Sequence, residues 1–178
     1  MKRTAMILGL GLVAGGSLAW ADTGADPLAP ARAGKLECMG PNMAQKTCRA
    51  VAAYAFGADG SINSPSLLLI RAQPLTIMAV NSAVSIKAGA LCGTAKAEDI
   101  DGSTILVDGR KLGDNDAAPL KAEIKAAYGP RLGKEICTVY VPSGDHFEAQ
   151  SSIDGMPQPE LTAQVIWVGP EDGFHVSP

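Results

Sequence analysis

Gly144-Asp145-His146-Phe147-Glu148 is the stretch of this chain that most resembles a reactive site. An imidazole oriented by one carboxylate and close to another can relay protons. The spacing argues against that use. Ser143-Gly144-Asp145 reads as a turn after an apolar run, and adjacent residues on an extended strand point to opposite faces, so Asp145 and His146 diverge. The only other histidine, His175, lies close to the C-terminus, where ordered catalytic geometry is uncommon. Neither Gly-x-Ser-x-Gly nor Ser-x-x-Lys occurs, which removes the familiar serine nucleophiles. Asp59, Ser61 and Asn63 have the alternate spacing of a calcium loop. However, Ser64 stands where its glycine belongs, and Ile70 where its bidentate glutamate belongs. Glu98, Asp99 and Asp101, and Asp114 with Asp116, read as solvated loop carboxylates. The residues thus assign no catalytic group, cofactor site or metal site.

Cys38, Cys48, Cys92 and Cys137 carry the chemistry that is most firmly indicated. They contain no Cys-x-x-Cys, so a thioredoxin-type redox pair lacks its geometry, and close Cys/His pairs of the kind that hold zinc are missing. Four cysteines in an exported chain are most simply two disulfides, with three connectivities open. The preferred pairing is Cys38–Cys48 with Cys92–Cys137, one closing a short loop and the other joining a central strand to the strand after a helix.

Export is read from the N-terminus. Lys2 and Arg3 precede an apolar run, Met6 to Ala14, and Ala19-Trp20-Ala21 supplies a small-x-small cleavage pattern. Residues 1–21 are therefore expected to be a signal peptide cleaved after Ala21, which places the protein in the periplasm or outside the cell. The apolar run is shorter than the roughly 20 residues of a membrane-spanning helix, so no stable membrane insertion is expected after cleavage. The phosphate-loop lookalike Gly9-Leu10-Gly11-Leu12-Val13-Ala14 belongs to this leader and is discounted. The chain carries a formal net charge of −3, and losing Lys2 and Arg3 makes it more acidic. A mildly acidic surface without a basic block argues against nucleic acid as a partner.

The elements that must position these residues follow from turns and apolar runs. Residues 22–34 contain Pro27 and Pro30 among small residues and read as a flexible leader before one disulfide-stabilised domain, 35–178. Asp-Gly recurs at Asp59-Gly60, Asp101-Gly102, Asp108-Gly109, Asp154-Gly155 and Asp172-Gly173, a dipeptide suited to tight turns between antiparallel strands. The runs between them predict strands at 67–71, 75–80, 83–87, 104–108, 135–141 and 161–168. In the last, Leu161, Ala163, Val165 and Trp167 share a face, with Trp167 expected in the core.

One helix is expected over about 117–128, capped by Asp116, with Pro119 in its first turn, a stripe of Leu120, Ile124 and Ala127, and Gly129-Pro130 ending it. Segment 42–56 fits either a helix or a strand. The fold class is α+β, mainly antiparallel β, and a sandwich, barrel or open sheet satisfies the pattern equally.

The function expected from these features is a small non-catalytic binding or interaction module of the cell envelope. Its partner would be another envelope protein or a small ligand. A carboxylate-based hydrolase acting on envelope material, or a purely structural envelope protein, are the alternatives.

Overall fold

Short apolar runs separated by glycine turns leave each strand only one neighbour it can reach without a long crossover, and the chain obeys that constraint almost throughout. The computed structural model describes residues 26–178, so the expected signal peptide lies outside the described residues. The strands are β1 (Leu36–Met39), β2 (Thr47–Cys48), β3 (Ala50–Ala52), β4 (Ala55–Phe56), β5 (Ile62–Arg71), β6 (Thr76–Lys87), β7 (Ala90–Thr94), β8 (Thr104–Val107), β9 (Arg110–Lys111), β10 (Glu135–Ser143), β11 (His146–Ile153), β12 (Met156–Val168) and β13 (His175–Val176). The helices are α1 (Ala29–Arg32), α2 (Ala97–Asp101) and α3 (Asp114–Tyr128), the last running on into a 3-10 turn, Gly129–Arg131.

Eight strands close on themselves in the order β1-β3-β5-β6-β7-β10-β11-β12, with β12 returning to pair β1. Every pairing around the ring is antiparallel, so this is an up-and-down barrel. The sheet therefore closes into a barrel, an alternative that the turn pattern alone left open.

Hairpin chemistry explains the tight joints. Asp108-Gly109 and Asp154-Gly155 both place two successive residues at positive φ (48° and 77°, 47° and 79°), the type I′ geometry that matches strand twist. Asp101-Gly102 instead ends α2, and Asp172-Gly173 ends a 3-10 turn. The β6–β7 hairpin uses Ala88-Gly89 at 46° and 77°. Alanine rarely accepts that conformation, which is why the joint carries no sequence signal and why the two runs 75–80 and 83–87 are in fact one long strand, β6.

Two cores result. Inside the barrel, Leu28, Ile62, Val84, Ile86, Leu91 and Trp167 pack together at one end. Leu28 belongs to the expected leader, and this corrects that reading for residues 26–34. Asp26 accepts the Leu28 backbone N–H at 2.9 Å and the Arg32 Nε–H at 2.6 Å, folding a helical turn that drives Leu28 into the barrel end, where it is fully buried. The Arg32 guanidinium lies 4.0 Å over the Phe56 ring and completes the plug.

Between β7 and β10 the chain leaves the barrel. The excursion forms α2, the β8–β9 hairpin and α3, and β8 pairs with the far half of β6. Met78, Ile100, Ile105, Ala117 and Ile124 make the second core there, with Leu120 and Tyr128 against it. Helix α3 starts at Asp114, earlier than expected, so Asp116 is not its cap and Pro119 lies inside the helix. Its buried stripe runs through Ala117, Leu120, Ile124 and Tyr128 rather than ending on Ala127, which is exposed.

Segment 42–56 resolves as β2, β3 and β4. The Gln45 backbone N–H does bond the Asn42 side chain at 3.2 Å, but it does so in a turn closed by Asn42–Thr47 backbone pairing. A short polar side chain can satisfy the backbone in either setting, and here the turn wins.

Candidate functional site

β1 reads Leu36-Glu37-Cys38-Met39, and strand alternation must send alternate residues to opposite faces. Leu36 and Cys38 go outward, where Cys38 bonds Cys48 and packs with Val51, Ile166 and Val168. Glu37 and Met39 therefore point into the barrel, in register with Trp167 and Val165 of β12 and with Ala52 and Ala50 of β3. A lone carboxylate is thus placed in the lumen by its neighbour's disulfide.

Glu37 is 4% exposed. Its Oε2 accepts the Tyr54 hydroxyl in a short hydrogen bond and the Tyr140 hydroxyl at 3.1 Å. Trp167 packs against both rings, with centroids 6.2 Å from Tyr54 and 6.0 Å from Tyr140. Burial raises the Glu37 carboxyl above the usual glutamate range, and the two phenol hydrogen bonds offset part of that shift. The phenols themselves are pushed up, by burial first and by the facing carboxylate next, so both stay protonated donors.

In front of this group the lumen is open. A cavity of about 210 Å³ runs from Glu37 past Ala50, Ala52, Ser66 and Leu68 toward Thr138. A second cleft, about 200 Å³, has Ser66 and Leu68 in common with it and is lined on the excursion side by Lys96, Asp99, Ile100 and Tyr128. Of the three tyrosines of the chain, Tyr54 and Tyr140 line the first space and Tyr128 the second. Comparison with protein families, curated proteins and solved structures finds no match to this chain. The chemistry of the lumen is thus the direct guide to use.

The residues singled out in the sequence lie elsewhere. His146 starts β11 on its outward face, and the expected divergence from Asp145 does not hold: Asp145 lies in the turn before the strand, so its Oδ1 reaches Nδ1 at 3.1 Å, with the Gln164 amide 3.3 Å from Nε2. Glu148 is on the same outer face and approaches Gln150, not His146. His175 sits exposed in β13, which pairs with β2 in parallel, so the C-terminal segment is held in place. Asp59 Oδ1 accepts both the backbone N–H and the hydroxyl of Ser61, a self-contained turn. Asp101 pairs with Lys125 at 2.6 Å, and Asp114 and Asp116 occupy the first turn of α3. Glu98 lies in the first turn of α2.

The four cysteines are joined in the preferred pairing. Among the described residues the one cluster of three potential metal ligands is Cys92, Glu135 and Cys137, and its two sulfurs are bonded to each other. No helix of the described residues is long and apolar enough to cross a membrane.

Glu37 also sets a pH signature. Its pKa is raised in the folded state, so between the unfolded value near 4 and the folded one the native protein holds a proton that the unfolded chain has lost. Stability from this group is complete at low pH and falls as pH rises through that window. In an amine-free buffer, the thermal midpoint of the wild type drops more steeply as pH rises above about 4 than that of Glu37→Gln. Parallel curves for the two proteins contradict the assignment.

Proposed function

We propose that this protein is a non-catalytic binding module of the cell envelope that takes a small ligand into the lumen of its barrel. The carrying observation is the open space in front of the Glu37–Tyr54–Tyr140 cluster. Eight-stranded barrels are at the size where the interior is either filled by side chains or able to hold one small molecule. Here Leu28 and Trp167 fill one end, and small residues (Ala50, Ala52, Ser64, Ser66) leave the middle free. A ligand site of this kind combines an apolar wall with a few fixed polar groups that orient the guest.

Two disulfides suit an oxidising compartment, which supports the export read from residues 1–21. The hydrolase alternative has less support. Two-carboxylate hydrolysis needs a pair of acids facing the bond to be broken, and Glu37 is the one acidic residue lining the cavity.

The test is a cavity-filling variant, Ala52→Phe. Purified wild-type protein is equilibrated with a small-molecule extract of the cells that make it and examined by native mass spectrometry. The expected result is a retained compound on the wild type that is lost on Ala52→Phe, while circular dichroism shows both folded. Equal retention by both proteins rejects the lumen as the site, and hydrolytic turnover abolished by Glu37→Gln rejects the non-catalytic reading.

A further inference from the structure

Resting on the lumen being a ligand site, we infer that its guest is a protonated amine with a short apolar tail, its ammonium seated against Glu37. Charge supplies the first argument. Glu37 is the one carboxyl group lining the cavity, and no lysine, arginine or histidine lines that wall. A carboxylate taken out of water must be neutralised by a proton or by a cation. The barrel supplies only hydroxyl donors, so the empty site favours protonated Glu37, and a cation that enters the cavity displaces that proton and pairs with the carboxylate.

Hydrogen bonding supplies the second. Both phenols converge on Oε2. Oε1 has no hydrogen-bond donor among the described residues, yet it is not sealed away from the space in front of it. A carboxylate oxygen in that position accepts from a charged N–H donor better than from a neutral one.

The surroundings sort the rest of the guest. The Tyr54 and Tyr140 hydroxyls, held by packing against Trp167, fix the carboxylate in place at the polar end of the cavity. Met39, Ala50, Ala52, Leu68 and Leu91 offer an apolar wall to a hydrocarbon tail. A carboxylic acid guest would place a second negative charge against Glu37 with nothing to balance it. The protein's net negative charge also favours approach by a cation.

Three probes of six carbons each vary the charge of the head group: n-hexylammonium, n-hexanol and hexanoate. Each is titrated into the purified protein, and binding is read by calorimetry and by emission of Trp167. Hexylammonium is expected to bind at least tenfold more tightly than hexanol, with hexanoate weakest. Glu37→Gln, which keeps the shape and still accepts both phenols, should lose that tenfold preference while binding hexanol as the wild type does. Tyr140→Phe gives a second check, since it keeps the ring and removes one hydroxyl, and its preference for the amine should persist.

Equal binding of hexanol and hexylammonium, or an amine preference unchanged in Glu37→Gln, overturns the amine assignment and leaves the lumen as a site for neutral ligands. Binding of none of the three overturns the ligand-site reading together with it.

Discussion

Replacing Cys92 and Cys137 together by serine lowers stability by about 4 kcal/mol, while the same change at Cys38 and Cys48 costs about 3 kcal/mol. The difference follows from the chain each bridge closes, 45 residues against 10. A longer closed loop removes more freedom from the unfolded chain. Position adds to the first effect. Cys92 and Cys137 lie directly opposite each other on β7 and β10, the strands through which the chain leaves the barrel and returns. The bridge therefore clamps the base of the whole excursion that carries α2 and α3.

Urea titration of the two double variants, without reductant, gives the two losses. Limited proteolysis should then cut the Cys92/Cys137 variant first between residues 95 and 134. A loss below about 1 kcal/mol, or a larger loss for the Cys38/Cys48 variant, contradicts this account.

Leu28→Ala costs about 3 kcal/mol, within the range for truncating a buried leucine. Leu28 is fully buried among Ile62, Val84, Ile86, Leu91 and Trp167, and nothing behind α1 can collapse into the vacated space without moving barrel strands. Leu67→Ala, at a leucine 40% exposed on β5, is the control and should cost well under 1 kcal/mol. Denaturant midpoints should separate the two variants while the slopes stay equal. Trp167 emission should shift to the red in Leu28→Ala before any unfolding. If the two variants are equally stable, the segment around α1 is not part of the core.

The sequence was informative where a local rule decides the structure. Asp108-Gly109 and Asp154-Gly155 are hairpins because glycine and aspartate accept the backbone those turns require. The stripe of Leu120 and Ile124 marked α3, and its start was misplaced because Asp114 and Asp116 look alike as first-turn acids. Spacing leaves three cysteine connectivities open, and the structure carries the preferred one.

The candidate site was not legible, for a physical reason. Glu37, Tyr54, Tyr140 and Trp167 come from four separate segments, and only barrel closure brings them together. Glu37 lies between Leu36 and Cys38, whose own face is covered by Val168 and Phe174, so both sides of β1 are buried and alternation gives no inward direction. Tyr54 fell in the one stretch whose element type was ambiguous. Leu28 was hidden by Pro27 and Pro30, which were read as marks of a flexible leader although Pro30 sits in the opening turn of α1.

The ring of strands has one seam. Each barrel strand pairs with the next barrel strand along the chain, except that β1 pairs with β12. A chain made from its N-terminus therefore carries β1 as an unpaired edge until Leu161–Val168 has emerged. Exposed edges of this kind recruit other chains. Closure therefore waits on the last barrel strand, and a chain cut before Leu161 keeps that edge of β1 open.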